Sequence, residues 1–213
     1  MARTPVRRSP LAMVVLAQLI EGPMHVYRMQ QLIRERGKDT VVNVAQRNSV
    51  YQTVERLERA GLVEVAGTDR QPGRPERTVY RITPAGRETL REWLQTMLST
   101  PAREFPEFPA ALAFVPVLTP DTVARLLRHR VERLEQALVD LDRQRAAAAA
   151  VPRLFLLEDE YRANQLRAEL EWVRRLVADL ESGALTWDEA WIREVAAALE
   201  GTTATAGGAG ADR

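Results

Sequence analysis

Cysteine is absent from the 213 residues, so the chain has no disulfide framework, no thiolate metal site and no thiol nucleophile. Histidine occurs twice, as His25 and His129, too far apart in sequence to suggest a histidine-rich metal centre. No uninterrupted apolar run approaches the roughly 18 residues needed to cross a bilayer, which excludes a membrane partner. The stretch from Leu11 to Ile20 runs straight into Glu21-Gly22-Pro23 without a small-residue cleavage site, so no secretory signal is expected. Nucleophile-with-base arrangements, phosphate loops and metal-ligand spacings are also missing, and the acid pairs at 158–160 and 188–189 read as helix-surface charge. These absences predict a cytoplasmic protein that is not an enzyme and carries neither cofactor nor metal.

Charge is nearly balanced overall, at +1, but unevenly placed. Residues 1–100 hold 16 basic and 10 acidic side chains, a net +6; the remainder holds 14 and 19, a net −5. A basic half points to a polyanionic partner, which the acidic half does not share.

The periodicities predict a mainly α chain with one small β-hairpin. Ser9-Pro10 is a helix start, with serine as cap and proline in the first turn, and Leu11 to Ile20 is mostly apolar. A second helix is expected over about Met24–Arg36. A third runs from a cap at Asn48 to Ala60, with Val50, Val54 and Leu57 inward and Arg47, Ser49, Gln52, Thr53 and Arg56 outward or flanking. Gly61-Leu62 breaks it. Val63–Val65 and Thr78–Ile82 alternate like strands around an arginine-bearing turn with Arg70, Arg74 and Arg77. Thr83 caps a fourth helix, Pro84–Ser99. The predicted division is a basic arm over 1–8 (Arg3, Arg7, Arg8), a helix-and-hairpin domain over 9–99, a linker over 100–118, a helical domain over 119–200 and a disordered Gly/Ala/Thr-rich tail over 201–213.

Two stretches of the helical domain carry coiled-coil-like seams: Leu127, Val131, Leu134, Leu138 and Leu141, then Leu166, Leu170, Val173, Val177 and Leu180. They are too apolar for solvated helices, and a pair packed as an antiparallel hairpin still leaves a surface to bury, which predicts dimerisation of the chain with itself. Phe155, Tyr161, Trp172, Trp187 and Trp191 read either as core aromatics or as a pocket for a small effector.

Three helices followed by a basic hairpin make a winged helix-turn-helix, whose third helix is apolar on one side and hydrogen-bonding on the other, as a major groove requires. The arginine turn suits phosphate or minor-groove contact. Double-stranded DNA is therefore the predicted partner. The alternative is a winged-helix protein–protein adaptor, which has no need of Arg70, Arg74 and Arg77 on one hairpin.

Gly22-Pro23-Met24-His25-Val26-Tyr27, Ser49-Val50-Tyr51, Leu57-Glu58-Arg59-Ala60-Gly61-Leu62-Val63 and Gly73–Gly86 resemble, in order and spacing, the PadR family of bacterial transcriptional regulators. Glu104-Phe105-Pro106, Leu118-Thr119-Pro120 and Glu169-Leu170-Glu171-Trp172 are similar to its longer subgroup with a virulence-activator-like C-terminal domain. One departure is Val26, where the family usually has glycine. The resemblance implies a homodimeric repressor, often relieved by a small effector, acting on an inverted-repeat operator. It also implies DNA contacts from Tyr27, from the Asn48–Arg56 segment including Tyr51, and from the wing arginines. The residues alone read Tyr27 and Tyr51 as core aromatics and His25 as a cap or core residue.

Overall fold

The computed structural model describes residues 7–44, 49–69 and 76–207, with side chains as far as residue 198. The chain divides into two units, Met1–Glu104 and Phe105–Arg213.

In the first unit the Ser9 hydroxyl accepts the Ala12 N–H at 3.2 Å, satisfying one of the donors a helix start leaves open, and Pro10 occupies the first turn of α1 (Pro10–Glu21). A two-residue strand that periodicity does not announce, β1 (Met24–His25), precedes α2 (Val26–Glu35). His25 is extended, and its ring Nδ1 accepts the Arg28 N–H at 3.0 Å, so it serves as the α2 cap. Val26, the departure from the family glycine, turns its side chain into the core. A single 3-10 turn, Lys38–Thr40, follows Gly37.

α3 (Ser49–Arg59) ends where Gly61 takes φ +68°. There the Gly61 N–H bonds to Glu58 O and the Leu62 N–H to Leu57 O, the paired closure that glycine makes accessible after a helix. β2 (Val63–Asp69) and β3 (Arg77–Ile82) form the wing, and the antiparallel sheet has the order β1-β3-β2. Val65 pairs with Tyr80 but Gly67 with Val79, so Ala66 is the extra residue of a β-bulge. Thr83 caps α4 (Pro84–Ser99) through its hydroxyl and the Gly86 N–H. Leu16, Leu19, Met29, Ile33, Val50, Val54, Leu57, Val63, Ile82 and Leu90 fill one core shared by all these elements. Each such side chain withdrawn from water contributes about 1.5–3 kcal/mol.

The end of α1 is tied to the end of α2 by Arg36, whose Nη1 and Nη2 donate to the Glu21 carboxylate at 2.5 and 2.8 Å. That guanidinium holds the Glu21 carboxyl below the usual carboxylate range. The folded value lies below the unfolded one, so the contribution is present at neutral pH and is lost as acid titrates through the lowered value. Both side chains are half exposed, and water screens the pair to under about 1 kcal/mol. Urea midpoints of wild type and Glu21→Gln are expected to differ slightly at neutral pH and to converge in acid; a constant gap would show that the carboxylate charge is not involved.

In the second unit, α5 (Glu107–Leu112) and a 3-10 turn, Val115–Val117, lie within the stretch expected to be a linker. α6 (Pro120–Ala147) starts at the Thr119 cap, stops short of Pro152, and is followed by α7 (Leu157–Glu181). Arg128–Glu181, Arg174–Glu135 and Arg167–Asp142 ion pairs descend one helix while climbing the other, so α6 and α7 form an antiparallel hairpin. α8 (Glu189–Gly207) begins at an Asp188 cap whose Oδ1 accepts the Trp191 N–H at 2.8 Å. It continues to Gly207; residues 208–213 lie outside those described.

Within one chain the two seams pack on each other. Leu127, Val131, Leu134 and Leu138 of α6 pack against Leu166, Leu170, Val173, Val177 and Leu180 of α7 in one cluster, and Leu141 is buried as well. The heptad side chains thus close a hairpin within one chain. Among the described residues, no helix is long and apolar enough to cross a membrane.

Candidate nucleic-acid interface

The third helix separates its faces as a groove-reading helix must. Val50, Val54 and Leu57 are sealed in the core, while Tyr51, Gln52, Glu55, Arg56 and Arg59 are exposed and Ser49 is half-buried at the first turn. Thr53 corrects the sequence reading. It is 1% exposed, its hydroxyl donates to Ser49 O at 2.8 Å and accepts from Arg56 Nη2 at 3.0 Å, and it cannot reach a base. At three residues after Val50 and four before Leu57 it lies on the buried stripe, and its small side chain with a local backbone acceptor makes that burial cheap. Its role is to steady Arg56. Arg47 and Asn48 lie outside the described residues, as do Arg3, Arg70 and Arg74. Arg7 and Arg8 are described and exposed.

Tyr27 is 53% and Tyr51 47% exposed, so neither is a core aromatic. Arg77 is at the outer end of the wing ladder, as the first residue of β3, across from Asp69. Its guanidinium stacks over the Tyr27 ring, 4.9 Å from the centroid, a cation–π contact that fixes its plane. An open cavity of about 230 Å³ gathers His25, Val26, Tyr27, Tyr51, Glu76, Arg77, Thr78 and Tyr80. Residues from α2, α3 and β3, far apart in the chain, therefore line one notch. Partial burial raises the Tyr80 pKa, and the nearby Glu58 and Glu55 charges raise it further, so its hydroxyl stays protonated at neutral pH. His25 was not singled out as a site residue by sequence, because a lone histidine after a turn carries no signal beyond capping.

Residues 15–92 match the model of the transcriptional regulator PadR-like family. The N-terminal unit is a PadR-like domain. Tyr27 and Tyr51 are exposed on it, Arg77 and Tyr80 are half-buried, and its core is the one described above. Among solved structures, PadR of Bacillus subtilis in complex with operator DNA superposes with a TM-score of 0.67 at 18% identity, covering 81% of this chain and 99% of that one. The same protein in complex with p-coumaric acid gives 0.63 at 17%, covering 80% and 98%. The virulence activator AphA of Vibrio cholerae gives 0.61 at 22%, covering 81% and 98%. At these identities the likeness establishes the fold: a winged PadR-like domain followed by long helices. No curated protein matches the chain.

The five aromatics read as an effector pocket do not come together within one chain. Tyr161 and Trp172 are eleven positions apart on α7, about 16 Å along the axis. Phe155 and Tyr161 are exposed, and the Tyr161 hydroxyl accepts from Gln165 at 2.9 Å. Trp172 stands edge-on to Phe108, over which Arg130 stacks at 3.5 Å. Trp187 precedes α8, donates its indole N–H to Leu118 O at 2.9 Å and packs on the hairpin core, while Trp191 faces out from the first turn of α8. Helical spacing gathered them on paper; the helix axis spreads them in space.

Proposed function

We propose that the chain is a sequence-specific DNA-binding transcriptional regulator of the cytoplasm, a repressor working as a homodimer on an inverted-repeat operator. The observation that carries this reading is the convergence of Tyr27, Tyr51 and Arg77 on one notch beside the exposed Gln52 and Arg56. Such a surface offers phosphate donors at its edge and base-reading side chains on a helix that a major groove, about 12 Å wide, admits. The Bacillus subtilis structure with operator DNA supports the assignment. Arg47, Asn48, Arg70 and Arg74, which lie outside the described residues, are proposed as further DNA contacts from the sequence alone.

Homodimerisation is supported by what the hairpin leaves uncovered. With the seams consumed internally, Leu126 and Val139 on α6, Leu157, Tyr161 and Trp172 on α7, and Trp191 on α8 remain exposed. The Bacillus subtilis structure with p-coumaric acid supports a small effector for this chain as well.

Titrating labelled duplexes across salt concentrations tests the reading. Log K against log salt is expected to fall steeply for the full chain. Gln52→Ala is expected to erode the preference for the operator over mixed sequence by about tenfold or more, the worth of one base contact. A flat salt dependence, or a Gln52→Ala protein with undiminished preference, would count against DNA readout by α3.

A further inference from the structure

The cap of α2 fixes which nitrogen of His25 carries the proton. Nδ1 accepts the Arg28 N–H at 3.0 Å and must present a lone pair, so the proton of the neutral ring is on Nε2. Nε2 in turn faces Arg77 Nη1 at 3.5 Å. An arginine has only donors, so these two N–H groups cannot bond to one another, and their separation exceeds the usual N–H···O range. They are two donor groups face to face at the wall of the cavity that both residues line. The Tyr27 ring under the guanidinium keeps Arg77 from swinging away. Among the side chains lining this cavity, Glu76 brings the one negative charge, Arg77 the positive one, and the Tyr27, Tyr51 and Tyr80 hydroxyls are neutral.

We propose that His25 Nε2–H and the Arg77 guanidinium jointly seat one non-bridging oxygen of a DNA phosphodiester, with His25 acting as a neutral, cap-locked donor. The proposal rests on the DNA-binding reading of the same site and adds to it a residue and a protonation state. An anionic oxygen has the lone pairs to accept from both groups at once, and charge-assisted bonds of this kind are the strong ones. Because the ring is neutral, its share of the contact releases no counterion, whereas that of Arg77 does.

Asparagine keeps a cap acceptor but has no donor that reaches the place of Nε2, so His25→Asn separates the two roles of the ring. On a mixed-sequence duplex of about 30 base pairs, His25→Asn is expected to weaken binding about tenfold with an unchanged salt slope. Arg77→Gln is expected to weaken it and to lower the slope by about one. The double variant should lose less than the product of the two, since both groups serve one oxygen. Undiminished affinity in His25→Asn, or fully multiplicative losses, would overturn the proposal. Should His25→Asn melt well below wild type, nitrogen-15 imidazole spectra of the wild-type protein decide instead: the Nε2–H resonance should move when duplex is added, and a stationary one overturns the seat. A wild type that binds no duplex at all refutes the DNA reading, and titrating inorganic phosphate against the same resonance then tests the seat alone, with no shift refuting it.

Discussion

Gly86→Ala is expected to destabilise the N-terminal unit by at least about 3 kcal/mol, against a helix-propensity gain of about 1 kcal/mol that alanine would bring to an open site. A Cβ built at Gly86 would stand 2.1 Å from the Leu62 carbonyl oxygen and 2.8 Å from Ile82 Cγ1. The carbonyl cannot step aside without loss. It accepts the Thr83 N–H at 3.0 Å, and the Thr83 hydroxyl donates between it, at 3.1 Å, and Gly61 O, at 2.8 Å. The same hydroxyl caps α4. Relieving the clash therefore breaks the cap, the helix-to-strand corner and the seat of α4 together. Urea unfolding followed by tryptophan fluorescence should show a lower midpoint with an unchanged slope, and duplex affinity should fall with the folded fraction. A midpoint equal to wild type would mean that α4 does not rest on that carbonyl.

Val173→Asp is expected to unfold the second unit alone. Val173 is fully buried at the centre of the α6–α7 hairpin. A carboxylate there has to be desolvated without a partner or be held protonated, at a cost of several kcal/mol by either route. The two units have separate hydrophobic cores, so the first should keep its own unfolding transition while the helical signal of the second is lost. Light scattering should then report a monomer, and the duplex should be held by single units with a shallower salt slope, since each grips fewer phosphates. Val173→Ala, which only leaves a cavity, should cost about 2 kcal/mol and keep the assembly. A Val173→Asp chain that remains dimeric would place the dimer contact outside the second unit.

What the sequence revealed was what depends on near neighbours. Ser9, Thr83 and Thr119 cap helices where serine or threonine precedes proline, because the whole motif fits within four residues. Gly61 ends α3 for the same reason. The split of α3 was legible from Val50, Val54 and Leu57, and Thr53 was misplaced only because polarity was weighed above its position on that stripe. The heptads showed that a seam exists but not what it faces, since a hairpin partner and a second copy demand the same spacing. β1 was illegible: two residues have no periodicity, and their pairing with Val79 and Tyr80 is decided by tertiary packing. The notch was half legible, since the resemblance supplied Tyr27 and Tyr51, while His25 became a site residue only when the sheet brought it to Arg77.

That two-residue strand has a mechanical meaning. Met24 and His25 pair with the inner half of β3, and His25 is also the cap on which α2 begins. The base of the wing and the start of α2 are thereby stitched into a single stiff block, whereas β3 outward from Thr78 is held by β2 alone, beyond the kink at Ala66. Any bending of the wing to follow the curvature of a duplex is thus confined to its outer portion, which carries Arg77 and Thr78, while His25, Val26, Tyr27 and Tyr80 on the inner side of the notch keep their places.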